Sequence, residues 1–250
     1  MGTNWEQYRV FLKDSVRLTI DFSTTDQSRG VAPPPIEQPV PKGGVRVTLA
    51  RKDSWRGFSD IDLIAAIEGR RSQRRFTAEP LSLDELAFLL WATQGIREKA
   101  NEATAFRTVP SAGCRHALET YVCAMNVAGL EPGIYRYLPV EHELLVVSRE
   151  PGLGGRLAAA ALGQAFVGRA AATFVWTTVP YRMEWRYHIA AHKVIALDAG
   201  HVCQNLYLAA AAIGCGTCAV AAYHQEEMDR LLGIDGVEEF TLYLAPVGKL

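Results

Sequence analysis

The sequence predicts an α+β domain, and three observations carry the prediction. Short β-branched and aromatic runs are interspersed with helical segments without strict βα alternation. One segment carries a complete helix-start signal, and a proline-free stretch from Met183 to Ile213 reads as a long helix or two abutting ones.

The elements follow in chain order. Residues 1–50 read as a short helix and then an arm, because Gly30–Gly44 holds five of the twelve prolines and must run extended. The arm lies over the body or over another subunit and is no separate domain; residues 51–250 form the main domain. Ile61, Ile64 and Ile67 share one side of the next helix, with Ser59 or Asp60 available to cap it. In "PLSLDELAFLLWATQG", Ser82 and Glu85 make a capping box, Leu81 and Leu86 a staple, and Gly95 the stop. "ETYVCAMNV", "GIYRY", "ELLVV" and "ATFVWTTV" have the length and composition of strands. Residues 154–163 are alanine-rich and helical. "LDAGHVCQNLYLAAAAIG" is apolar around much of its circumference, which buries it centrally or in a subunit interface. "CGTCAVAAY" reads as strand or loop, "QEEMDRLLG" as helix, and "EFTLYLAPVGKL" as a final strand.

A formal net charge of −1, with 49% apolar and 21% charged residues, is that of an ordinary globular domain. The balance argues against nucleic acid as a partner. No segment reads as a membrane span, and the N-terminus lacks the apolar core of a signal peptide. Five cysteines, an odd number, do not make a disulfide framework, so the expected address is cytoplasmic.

His188 and His192 stand four apart in "HIAAH", but the glutamate of a HExxH zinc site is missing, and no metal is expected. "CGTC" (Cys215 to Cys218) has redox spacing; a thioredoxin-like pair opens a helix, whereas this one follows a helix and leads into an extended run. Two small buried side chains are the expectation. No nucleophile elbow, P-loop or GxGxxG is present.

"EGRRSQRRF" places Arg70, Arg71, Arg74 and Arg75 within six positions. Four cations so close are either a solvated basic surface or the grip on an anion, since guanidinium forks bind one phosphate bidentately at any working pH. Ser72 adds a donor, Phe76 can pack beneath the bend, and Arg75 points outward. "RTVPSAGCRHALETYV" and "AAIGCGTCAVAAY" are small-residued stretches whose backbone a flat ring can approach closely.

Together with "PLSLDELAFLLWATQGI" and "GLEPGIYRY", these stretches resemble the FMN-dependent nitroreductase family, in its SagB-like, thiazoline-oxidase-like dehydrogenase branch, over roughly residues 60–250. The resemblance implies a nitroreductase-like α+β fold, a central mostly antiparallel sheet flanked by helices, with FMN at the homodimer interface. It implies Arg70, Arg71, Ser72 and Arg74 at the FMN phosphate and ring, with Pro110, Ser111, Ala112 and Gly113 beside the flavin. Ala219, Val220, Ala221 and Ala222 follow along the ring, and Lys249, placed after the last strand, reaches the phosphate. Azoline-oxidising members carry a Lys-Tyr pair for substrate deprotonation; the corresponding positions are Arg186 and Tyr187, and arginine does not readily give up its proton. The expected activity is therefore flavin oxidoreduction with NAD(P)H as donor and a small-molecule or modified-peptide substrate. Azoline oxidation is the enzymatic alternative, and a non-catalytic flavin-binding subunit is the alternative of another class.

Overall fold

The apolar runs read as strands form the centre of the molecule. The computed structural model describes residues 5–55, 58 and 61–250. Its strands are β1 (Arg46–Thr48), β2 (Ile96–Asn101), β3 (Thr104–Arg107), β4 (Leu118–Ala124), β5 (Gly133–Leu138), β6 (Glu143–Arg149), β7 (Ala172–Thr178), β8 (Cys215–Thr217) and β9 (Phe240–Lys249). Seven of them make one sheet in the order β1-β6-β5-β4-β7-β9-β8, every neighbouring pair antiparallel. The hairpin β2–β3 stands apart from it.

Every residue of β4, β5 and β7 is buried, so both faces of the sheet centre are covered. Successive side chains alternate between the faces. Leu118, Val122 and Ala124 of β4 join the core under α3 (Leu83–Gln94) and α7 (Ala191–Ala212). Tyr121 and Cys123 join a second core under α4 (Leu153–Ala160) and α8 (Gln225–Leu232). Double coverage explains why these strands read as near-continuous apolar runs although the sheet is antiparallel.

Both halves of the capping box of α3 form: Ser82 Oγ accepts from Glu85 N at 3.1 Å, and Glu85 returns the contact to Ser82 N at 2.9 Å. The helix preceding it, α2 (Leu63–Gly69), is capped by Asp62, which accepts from Ala65 N at 3.0 Å. Ser59 and Asp60, the expected caps, lie outside the described residues, and Ile61 precedes the helix instead of belonging to it. The proline-free stretch is two helices: α6 (Tyr181–Tyr187) and α7, joined by a 3-10 turn at His188–Ala190. His188 takes φ 51° and ψ −142° there, which ends α6 and puts His188 and His192 on different elements. Helix α7 is buried along one side only; Leu197, Gly200, His201 and Gln204 face outward. Lys249 is the last residue of β9 rather than a residue beyond it. Among the described residues no helix is long and apolar enough to cross a membrane.

The proline-rich segment is extended and is held by buried charged groups. Arg107 donates to Ile36 O (2.8 Å), and Arg136 to Gln38 O (3.1 Å) and Pro39 O (2.9 Å). Glu119 accepts from Gln38 N (2.8 Å) and pairs with Arg182 (2.5 Å). Trp185 of α6 adds a bond to Val31 O (3.0 Å). Polyproline backbone has no internal hydrogen bonds, so its carbonyls are free for these donors.

Glu37, in the same segment, accepts from Val140 N at 3.1 Å. Burial, with the charges of Glu141 and Glu119, pushes its carboxyl from an ordinary 4.5 up to about 7, against the pull of the Val140 amide and Arg107. The folded chain therefore binds a proton that the unfolded chain has released. That contribution to stability is complete below pH 4.5 and is lost as pH rises through about 7. Glu37→Gln, which keeps the acceptor, is expected to melt near the parent temperature at pH 5 and above it at pH 8. Thermal melts at the two pH values check this; a variant no more stable at pH 8 contradicts it.

Candidate active site

The arginine stretch leaves α2 and runs along the open edge of the sheet. Gln73 N donates to Thr217 O at 2.9 Å, and Ser72 makes a bridge with Thr217, so the stretch extends the sheet beyond β8. Phe76 packs on Gly248 of β9. A Cβ at Gly216 would lie 2.7 Å from Gln73 and Leu250, so only glycine admits this close passage.

Tyr207 of α7 ties the pieces together, and nothing in the sequence singled it out. Its hydroxyl is 3.0 Å from Ser72 Oγ and accepts from Ala219 N at 2.9 Å. The Arg70 guanidinium lies over its ring at 5.3 Å. One aromatic side chain thus joins the first and third stretches. Beside it Arg70, Arg71, Gln73, Tyr207 and Thr217 line a cavity of about 250 Å³. The Thr217 hydroxyl is buried there without a partner among the described residues. Arg74 instead stands over Phe166 at 5.8 Å and does not line this cavity; Arg75 is exposed. Lys249 is engaged elsewhere, ion-paired with Glu85 and donating to Ile213 O at 3.0 Å.

Of the third stretch, Ala219 and Val220 are engaged within the chain: Val220 exchanges both main-chain bonds with Leu244 (2.8 and 3.0 Å). Ala221 and Ala222 are exposed, with Ala222 O accepting from Gln164 at 2.8 Å. Cys215 and Cys218 are buried free thiols, and burial pushes the Cys215 thiol up to about 12. A thiol so far from ionisation is a poor redox nucleophile.

The second stretch lies toward the other end of α7. Ser111 Oγ accepts from His116 N at 2.9 Å, and Ser111 and the Ala112 amide lie near the carboxylate of Asp198. Burial raises the Asp198 carboxyl while Ser111, His201 and the Ala112 amide hold it down; one of its oxygens has no hydrogen-bond partner among the described residues. Gly113, at φ 58°, is where α6 touches this turn. A Cβ there would fall 2.6 Å from the Tyr187 hydroxyl and 3.0 Å from Arg186 Nε. Arg186 itself stands over the Tyr187 ring at 5.5 Å. The two catalytic candidates therefore meet the Pro110–Gly113 turn, while the arginine cavity lies elsewhere along α7.

Left-handed backbone at non-glycine residues gathers here: Cys114 (φ 53°), His116 (φ 46°) and, behind Tyr187, His188 (φ 51°). Such strain persists where surrounding contacts enforce it, and it concentrates at functional sites. Beside the turn a cavity of about 390 Å³ is lined by Arg97, Phe106, Pro110, Ser111, Cys114 and His116. Burial and the nearby Arg107 and Arg115 push His116 down to about 3, so the ring is neutral at any physiological pH.

A doubly covered antiparallel sheet, an arginine-lined cavity at its edge strand and a glycine turn on a Tyr-Arg pair make an α+β domain of nitroreductase-like architecture. The chain belongs to the nitroreductase family, whose sequence model matches residues 67–249. It is 35% identical over 192 residues to a nitroreductase-type protein of Methanocaldococcus jannaschii, covering 77% of this chain and 93% of that one. Among solved structures, one from Ralstonia eutropha JMP134 superposes with a TM-score of 0.67 at 25% identity, over 86% of this chain and 97% of the other. An Anabaena variabilis structure gives 0.61 at 28% identity over 74% of this chain, which spans 37% of that protein's length. The Escherichia coli microcin synthetase McbBCD complex shares the fold over 100% of this chain and 98% of the matched one, at 18% identity and a TM-score of 0.60.

Proposed function

We propose that the chain is an FMN-dependent oxidoreductase that works as a homodimer, taking reducing equivalents from NAD(P)H and delivering them to a small acceptor. One observation carries the reading: Tyr207, which meets Ser72, Ala219 and Arg70, lines a cavity of about 250 Å³ together with Arg70 and Arg71. Exposed guanidinium donors at such a cavity fit the phosphate end of a flavin mononucleotide. The flavin, when bound, supplies the hydride chemistry. The chain's own residues bind and orient: Arg70 and Arg71 hold the phosphate, and Gly113 leaves room for Tyr187 and Arg186 beside the second turn. Leu63, Ile64 and Ile67 of α2, 57 to 75% exposed in one chain, support a second copy as their cover.

The test is anaerobic. Purified protein should take up about one FMN per chain, and its yellow colour should bleach on adding a reduced nicotinamide. A protein that binds no flavin would overturn the reading.

A second reading, azoline oxidation on a modified peptide, is favoured by the Tyr187 hydroxyl, which is set against Gly113 where a proton could be relayed. Tyr187→Phe separates the two. Nicotinamide-driven turnover is expected to stay within a few-fold of the parent, because solvent protonates a simple acceptor. If a thiazoline peptide is the substrate, its turnover should fall by about 10²–10⁴, the contribution of a placed acid or base.

A further inference from the structure

We propose that the N-terminal segment, residues 5–18, crosses to a second copy of this chain and covers α2 of that copy. The inference rests on the homodimer reading above and specifies how the two chains embrace. Two apolar surfaces are open in the single chain. Trp5, Tyr8, Phe11, Leu12 and Leu18 are 52 to 90% exposed, and no residue from 5 to 20 is buried. Helix α2 turns Leu63, Ile64 and Ile67 outward and buries only Ala66. Apolar clusters of this kind on a soluble fold mark surfaces that another chain covers.

The two surfaces lie at opposite ends of α7 and leave each other uncovered within one chain. At the N-terminal end, Lys193 Nζ donates to Leu12 O at 2.6 Å. At the C-terminal end, Tyr207 and Ala211 share their cavity with Ala65 and Ala66 of α2. Lys193, Gly200 and Tyr207 recur every seven residues, which puts them on one side of the helix roughly 10 Å apart. Gly200, midway, is exposed, and nothing lies within 4 Å of the position its Cβ would take. Leu197, His201 and Gln204 are exposed around it.

A twofold axis at Gly200 sets the two copies of α7 antiparallel, with backbone close to backbone. Lys193 of one copy then faces Tyr207 of the partner subunit, because both stand seven residues from the axis. The same rotation lays residues 5–18 of each chain against the other's α2, an isologous contact made twice. The apolar side chains so covered expose on the order of 1,000 Å² per chain, which is the size class of a stable interface.

The experiment coexpresses a tagged Leu12→Cys chain with an untagged Ile64→Cys chain and oxidises the purified full-length protein. A reducible covalent heterodimer on non-reducing gels, above the baseline of the parent treated alike, is the expected result. Leu12→Lys with Leu18→Lys should raise the dimer dissociation constant at least tenfold by sedimentation. A protein that sediments as a dimer yet forms no such cross-link overturns the crossing and leaves the homodimer reading standing; a monomeric parent overturns both. If the cysteine chains do not fold, an unchanged dissociation constant in the lysine variant overturns the crossing on its own.

Discussion

Arg182→Ala is expected to lower the stability of the fold by about 3–5 kcal/mol, the cost of removing one member of a buried ion pair. Arg182 and Glu119 are each 2% exposed, with the guanidinium 2.5 Å from the carboxylate. Without Arg182, Glu119 keeps the Gln38 amide as its hydrogen-bond donor and the field of Arg107, but stands in the core without its ion-pair partner. The loss comes from that orphaned carboxylate more than from the pair's own attraction, so Arg182→Met with Glu119→Gln should be far milder than Arg182→Ala. Urea unfolding of the three proteins decides the point; a single-variant loss below about 1 kcal/mol would contradict it. The effect reaches the site, because α6 carries Arg182 one turn before Arg186 and Tyr187. A loosened α6 should also free the arm held at Gln38, visible as faster proteolysis within residues 30–44.

What was legible in the sequence was local. The capping box of α3 is read from Ser82 and Glu85 because the interaction closes within four residues. The central strands are legible because double burial leaves few polar positions, Glu119 and Thr120 in β4 and three threonines in β7, to blur the run. Elements whose reason is distant were not legible. Three-residue β1 exists because Arg46–Thr48 pairs with Glu143–Leu145, almost a hundred residues away. The β2–β3 hairpin, "IREKANEATAFR", is polar and mostly exposed, so it shows no alternation to read.

The same division runs through the site. The arginines and the Pro-Ser-Ala-Gly turn announce themselves by composition. Tyr207 does not, since one aromatic in an apolar helix looks like core until Ser72 and Ala219 are seen to meet on it. Asp198 had one available signal, a lone carboxylate in an otherwise apolar helical run. Lys249 is implied at the phosphate by the resemblance alone, and its engagement with Glu85, 164 positions away, is a tertiary fact. Arg74 and Arg70 look alike in the sequence and part in the fold: Arg74 lies over Phe166, and Arg70 lies over Tyr207 at the cavity.

That difference sets the second large effect. Arg70→Ala and Arg71→Ala should each weaken FMN binding by about 10- to 100-fold, the worth of a charge-assisted contact of roughly 1.5–3 kcal/mol. Both line the cavity of about 250 Å³, and the Tyr207 ring at 5.3 Å holds Arg70 by its face, leaving the edge donors for an anion. Riboflavin has the ring without the phosphate, so its affinity should change by no more than about threefold, roughly 0.65 kcal/mol. Arg74→Ala should be milder than either, because its guanidinium lies over Phe166, and Arg75→Ala should be close to neutral. Because Arg70 and Arg71 are exposed, the discrimination between FMN and riboflavin should also shrink as salt rises. Flavin fluorescence titrations at low and high ionic strength measure all of these. Equal losses for FMN and riboflavin would mean that the two arginines shape the fold around Tyr207 and do not hold the phosphate.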